Sequence, residues 1–285
     1  MAEILIYGSV TSAIYALLAV GFTLIFGVAR VVNMGHGAFY VFAAYAAYIC
    51  TSTLGLSIYI AFPISLAATI IFGILLEILI MRPMRDSHLL LIMITLAVSL
   101  LVEQSLVAIF SREARNIPPL VDGTVEILGV SVTAQRVLTV VVSAVLIGLL
   151  VLFIQKTKIG LAILAISQDA EAAEYVGVPS NRVFLTVMAL SSGLAACAAL
   201  LSSPFLSVEP GMGLVPMVKA FTIVIVGGLG SIPGSIVAAI VIGFLETFIS
   251  FKISSAWADA VAVAAVFLTL IVRPAGLFGK RELFQ

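Results

Sequence analysis

The sequence predicts an all-α polytopic membrane protein of about eight transmembrane helices, with a broken or re-entrant helix near residues 217–234 and a cytoplasmic helix between two spans. Three observations carry this. Hydrophobic residues make up 62% of the 285 and charged residues only 10%, against roughly a quarter charged in a soluble domain, so the polar surface that would cover a core of this size is missing. The apolar residues fall in runs near the roughly 20 that cross a hydrocarbon layer of about 30 Å. One stretch at 156–182, KTKIGLAILAISQDAEAAEYVGVPSNR, is charged and helix-prone between apolar flanks and belongs in water. The chain reads as a single transmembrane domain over 1–285, with this segment (156–182) and an extracytoplasmic loop at 111–136.

The first span, 5–28, has no basic segment before it and no small-residue cleavage pattern after it, so it is expected to be retained. In VVNMGHGAFY, Gly35 and Gly37 flank His36 and a helix restarts at Ala38, reaching about Thr51. This span is short, which places the polar break partly below the membrane surface, where non-helical backbone needs protein or water around it. The third span, 58–81, closes on RPMRDSH, and the fourth is 89–110. The loop that follows carries Pro118 and Pro119 and alternates in VEILGVSV as a hairpin does.

The fifth span, 137–154, enters the charged segment and the sixth, 183–203, leaves it, with Ser180 or Asn181 as its cap. Residues 204–216 are turn-rich. The apolar run 217–226 is about half of membrane length before GGLGSIPG at 227–234. Spans 235–251 and 257–272 follow, and the chain ends RPAGLFGKRELFQ.

Orientation follows from the basic residues. With the N-terminus outside, Arg30, Arg82, Arg85, Lys156, Lys158, Arg182, Arg273, Lys280 and Arg281 fall in the cytoplasm, against Arg112, Arg115, Arg136, Lys219 and Lys252 outside or near it. The segment 156–182 is then cytoplasmic. Gly160 at its entrance, and Gly177 with Pro179 at its end, predict one surface helix over 161–176. Asp169, Glu171 and Glu174 project from that helix, while Leu161, Leu164, Ile166 and Ala170 supply a partly apolar packing side.

Several chemistries are excluded. No glycine-rich phosphate loop is followed by Lys-Ser/Thr, no HExxH or Cys/His cluster offers a metal site, and two histidines, His36 and His88, leave no Ser/His/Asp set. No catalytic residue, metal or cofactor is expected in this chain, and zero net charge gives no sign of a nucleic-acid partner. Cys50 and Cys197 lie in apolar runs and read as buried small hydrophobes. The embedded ionisable groups are Glu77, Glu103, Glu246 and Lys219. Pairing is expected for Glu77, with Arg82 or lipid headgroups, and for Glu246; Glu103 stays open between pairing and a pathway role. His36 reads as lining a backbone break rather than titrating.

So little embedded charge is poor material for proton or sodium coupling, and energy is expected from a partner. An ion-coupled secondary transporter is the alternative reading. A loose similarity between NMGHGAFYVFAAYAAY and GGLGSIPGSIVAAIVIG is what two halves of a duplicated transporter would show near a pathway. It marks Asn33, Gly35, His36, Gly37, Gly227, Gly228, Gly230, Ser231 and Gly234 as candidate lining residues.

In the charged segment, Glu171, Ala172 and Ala173 followed by Gly177 resemble the start of the loop by which permease subunits of bacterial ABC importers dock on their ATPases, without its Ile-x-Leu-Pro continuation. More widely, ALLAVGFTLIFGVARVVNMGHGAFY, the RPMR cluster, GLAILAISQDAEAAEYVGVPSNRV, MVKAFTIVIVGGLGSIPGSIVAAIVIGFLE and VRPAGLFGK are similar to the branched-chain amino acid permease family of LivH type. The resemblance implies a multi-pass protein of the bacterial cytoplasmic (inner) membrane. It implies as partners a second permease, related or identical, two cytoplasmic ATPases holding ATP and Mg, and an extracytoplasmic solute-binding protein. It places an ATPase-coupling role on 161–177, with Leu161, Asp169, Glu171, Ala172, Ala173, Glu174 and Gly177 as the candidate residues.

Overall fold

The computed structural model describes residues 1–85, 87–273 and 276–279. Inside a bilayer each backbone polar group must find its partner within the protein, so apolar runs fold as helices. Eleven α-helices are described: α1 (Ala2–Ala29), α2 (His36–Tyr48), α3 (Ile58–Leu76), α4 (His88–Phe110), α5 (Ala134–Lys156), α6 (Lys158–Gln168), α7 (Ala170–Tyr175), α8 (Ser180–Ser202), α9 (Leu214–Gly227), α10 (Ile232–Lys252) and α11 (Ser255–Val272). A π-helical turn, Ile49–Thr53, prolongs α2, and a π turn with a short 3-10 turn carries α3 to Met84. Among the described residues, seven helices are long and apolar enough to cross a membrane, and α6 and α9 are shorter apolar helices.

Between α4 and α5 lies the expected hairpin, β1 (Thr124–Ile127) antiparallel to β2 (Val130–Thr133). Its two-residue turn has positive φ at Leu128 and Gly129, the geometry whose twist matches paired strands.

Helix α1 is the centre of the bundle, packed by α10, α8, α9 and α5. Small residues permit this, because helices in lipid associate through close backbone approach rather than an apolar stripe. Ser12 of α1 lies on Gly243 of α10, and Gly8 lies under the ring of Phe244. Thr23 and Ser235 share a 2.6 Å hydrogen bond between the same helices. Gly73 of α3 meets Ser192 of α8 in the same way.

Two helices start partway along the bundle. The first follows Arg30, where α1 ends in a left-handed cap with φ 50°. The chain turns back inward to His36, whose Nε2 lies 3.1 Å from the Leu18 carbonyl; Leu18 is 11 residues before Ala29, ~16 Å along the helix. Nearby, the Met34 amide donates to Thr95 Oγ1 at 3.2 Å. The second is α9. Residues 204–213 descend from a bridge between Arg115 and Val208, past Glu103 beside Gly211, to Gly213, which abuts Gly37. Helix α9 then runs 14 residues, ~21 Å, to the Arg30 end, where Gly230 packs on Gly27.

This relocates one expected feature. The interruption that shortens the helix near 217–234 is the descending stretch before Leu214, and GGLGSIPG is the tight turn joining α9 to α10 at the Arg30 end. The C-terminal segment straps that turn: the Leu277 amide donates to the Val226 carbonyl at 2.9 Å and the Phe278 amide to the Gly227 carbonyl at 3.0 Å. Glycines are needed where these backbones cross, since a Cβ on Gly228 would fall on Gly279 and one on Gly234 on the Gly227 carbonyl.

Further differences are local. The helix expected over 161–176 is two, because Asp169 adopts an extended conformation and caps α7, its Oδ1 accepting from the Ala172 amide at 3.0 Å. Gly160 lies inside the first turn of α6, pressed on the carbonyls of Phe153 and Ile154. Helix α8 begins at Ser180 after Pro179, with no side-chain cap from Ser180 or Asn181. Glu77 pairs with Arg85 rather than Arg82. Cys50 and Cys197 are free and buried, as small hydrophobes should be.

Candidate functional site

Two regions of the bundle carry the groups singled out above. At the first, Arg30, Arg85 and the segment 156–182 meet at one end of the helices, the grouping that the basic-residue count expects. Lys280 and Arg281, counted in the same set, lie outside the described residues. The Arg30 guanidinium donates to the Gln168 carbonyl at 2.8 Å, placing a cation on the negative C-terminal pole of α6. Arg85 binds the Glu77 carboxylate, donates to Asn181 Oδ1 at 2.8 Å, and stacks 3.8 Å from the centre of the Phe184 ring. One arginine thus ties the segment to α1, and the other ties the end of α3 to the start of α8. Between them is a cavity of about 470 Å³ lined by Arg30, Glu77, Arg85, Asp169 and Glu171 among others.

Of the packing side expected for this segment, Ile166 is buried and the other three positions are not. Ile163, Ile166 and Ala173 are buried, whereas Leu161, Leu164 and Ala170 face out. Ala173 therefore holds the segment down instead of offering itself to a partner. The outward face carries Leu161, Glu171, Ala172, Glu174 and the almost fully exposed Tyr175 and Val176, at 83% and 81%. Tyr175 donates to Glu171 Oε1 at 3.2 Å. Gly177 has φ 87°, the left-handed conformation that ends a helix at little cost only in glycine, and its surroundings are open.

The second region is the interior. Asn33, Gly35, His36 and Gly37 are all buried. Asn33 Oδ1 accepts from the Gly35 amide at 2.9 Å, and its Nδ2 has no partner among the described residues. His36 is held between the Leu18 carbonyl and Ser191 Oγ, with Phe22 and Phe39 edge-on. The second glycine set occupies a different depth: Gly227, Gly228 and Gly234 are buried in the strapped turn, and Ser231 caps α10 through the Gly234 amide, while Gly230 is exposed. The structure thus keeps the two glycine sets apart and pairs the Asn33–Gly37 break with Gly213.

Toward the opposite end, Lys219 of α9 and Glu246 of α10 form a buried ion pair, and Tyr15 donates to the second carboxylate oxygen at 2.8 Å. The pairing expected for Glu246 is present, with Lys219 as the partner. Lys219 also borders a cavity of about 340 Å³ that extends along α1 from Tyr7 to Leu18. Arg136, read from sequence only as a topological marker, is in its wall, its guanidinium 4.8 Å from the ring centre of Tyr7 and 5.2 Å from that of Phe205. A signal for the ion pair was available, in that Lys219 is the one cation among the embedded ionisable groups. For Arg136 there was none, because its neighbours come from other helices.

Residues 4–270 match the family described as branched-chain amino acid transport system / permease component. The chain is 29% identical over 293 residues to the high-affinity branched-chain amino acid transport system permease protein BraD of Pseudomonas aeruginosa, covering 98% of this chain and 95% of that one. With the corresponding LivH protein of Escherichia coli the identity is 27% over 291 residues, covering 96% and 94%. In fold the chain is similar to PsaBC from Streptococcus pneumoniae, solved with a Fab, at a TM-score of 0.54 and 16% identity over 99% of this chain and 96% of that.

Proposed function

The chain belongs to the family of permease components of branched-chain amino acid transport systems, and from that premise we propose that it is the membrane-spanning subunit of an ATP-binding-cassette importer in the bacterial cytoplasmic membrane. It moves branched-chain or related amino acids inward by alternating access. It works with a second permease, a related chain or a second copy, and receives solute from an extracytoplasmic binding protein. Two cytoplasmic ATPases hold ATP and Mg and supply the energy.

The observation that carries this reading is the segment α6–α7. It is anchored by Arg30 on one side and presents exposed apolar and acidic residues on the other, with nothing among the described residues covering them. Leu161, Glu171, Ala172, Glu174, Tyr175 and Val176 form the contact with the ATPase. Asp169 and Gly177 fix the two ends of α7, and Ala173 seats it.

When the ATPases close, displacement of α6 reaches α1 through the Arg30 link. Because α1 is packed on four other helices, moving its end repositions the bundle as a body, which is how a small local shift becomes a large one. The helix starts at His36 and Leu214 give the solute backbone N–H and C=O groups at membrane depth, as broken helices do in transporters.

Reconstitution tests the reading. The complex with both ATPases and the binding protein should take up leucine with ATP and not with an ion gradient alone. Replacing Glu171 by Lys together with Tyr175 by Ala should release the ATPases on co-purification and abolish uptake. Full retention of ATPase binding and uptake in that variant would remove α6–α7 as the coupling contact.

A further inference from the structure

We propose that the 340 Å³ cavity along α1 is the outer binding station of the pathway, with Arg136 receiving the carboxylate of an amino acid. This inference rests on the importer reading and adds a site to it.

Charge is the first argument. Two cations border the cavity, Arg136 and Lys219. Lys219 is neutralised by Glu246, while no carboxylate lies within ion-pair distance of Arg136 among the described residues. The cavity therefore carries one uncompensated positive charge, held in place by the rings of Tyr7 and Phe205. A planar guanidinium fixed in this way matches a carboxylate with two parallel hydrogen bonds.

Shape is the second. The volume is at the low end of small-molecule pockets, roughly 300–1,000 Å³, and suits one amino acid better than a peptide. Val10, Ile14, Leu18 and Val215 are among the apolar residues of the wall, a surface for an apolar side chain.

Position is the third. Tyr7 and Tyr15, eight residues apart on α1, put Arg136 and the Lys219–Glu246 pair at two depths ~12 Å apart. The cavity reaches Leu18, whose carbonyl faces His36 at the start of α2. A solute bound at Arg136 is thus aligned with the paired charges and then with the helix start. Lys219, which borders the cavity, is already paired with Glu246, so its charge is offset and does not trap a zwitterion at this depth.

The alternative ligand of the same chemistry is a lipid phosphate at the outer interface, and one experiment separates the two. In the complete complex with Cys50 and Cys197 replaced by Ala, Thr11→Cys places a thiol in the cavity wall. Its reaction with an impermeant maleimide added outside should slow at least ~5-fold in saturating leucine but not in leucinamide, which lacks the carboxylate. Adding Arg136→Gln should abolish the protection, and Arg136→Lys should restore part of it.

If leucine still protects in the Arg136→Gln complex, or if a complex that transports leucine shows no protection at all, Arg136 is not the carboxylate site. Loss of thermal stability in anionic lipid without any change in protection would assign Arg136 to lipid phosphate instead. Absence of ATP-driven leucine uptake before any substitution would count against the importer reading, and is thus distinguishable.

Discussion

Gly37 and Gly213 meet backbone to backbone where two interrupted helices begin: a Cβ on either would fall on the carbonyl oxygen of the other. Neither neighbour is a flexible side chain that can move aside. Gly213→Ala is expected to push α9 from α2 and to cost about 1–3 kcal/mol, the usual range for overpacking. A lower thermal midpoint of the purified complex, with uptake falling further than folded yield, is the expected result.

Both members of the Lys219–Glu246 pair are buried. Lys219→Met alone leaves a buried carboxylate with the Tyr15 hydroxyl as its remaining partner among the described residues, and such half-pairs cost about 3–5 kcal/mol. Folded yield in detergent should drop sharply. The double variant with Glu246→Gln should recover most of that yield, because neither member of the pair is then left buried and charged without the other.

At α7 the expected effect is smaller and local. Asp169→Ala removes the side chain that accepts from the Ala172 amide, a loss of about 1 kcal/mol for a helix N-cap. Hydrogen exchange should quicken at residues 172–175 while α1 and α8 keep their protection. Uptake should fall because the docking face is less well ordered, and Asp169→Asn should behave nearly as the wild type.

Gly177 and Gly234 offer a contrast between conformation and space. Gly177→Ala meets no neighbouring atom but places a Cβ at φ 87°, costing about 1–2 kcal/mol. Gly234→Ala has an ordinary helical backbone but meets the Gly227 carbonyl. The second should lower the thermal midpoint more than the first, and proteolysis should reveal release of the strap at 276–279. Equal midpoints for the two variants would contradict the strap.

What the sequence by itself determined is set by local chemistry. Run length and missing charge established the membrane class, basic residues grouped the ends, VEILGVSV marked the hairpin, and the long motifs identified the family. The segment 156–182 stood out because its charges cannot remain in lipid. Tertiary structure decided the rest. Which face of each helix is buried is hard to read here, since lipid and protein interior are equally apolar and the periodic contrast that marks a soluble helix is weak. Hence Ile163 and Ala173, not Leu161 and Ala170, seat the coupling segment. The half-length of α9 was legible, but its depth was not, because the meeting of Gly213 with Gly37 is what places its start partway along the bundle. Arg136 could be read as a charge at a helix end. Its position over Tyr7 and Phe205 depends on three segments brought together by packing, which spacing along one chain does not encode.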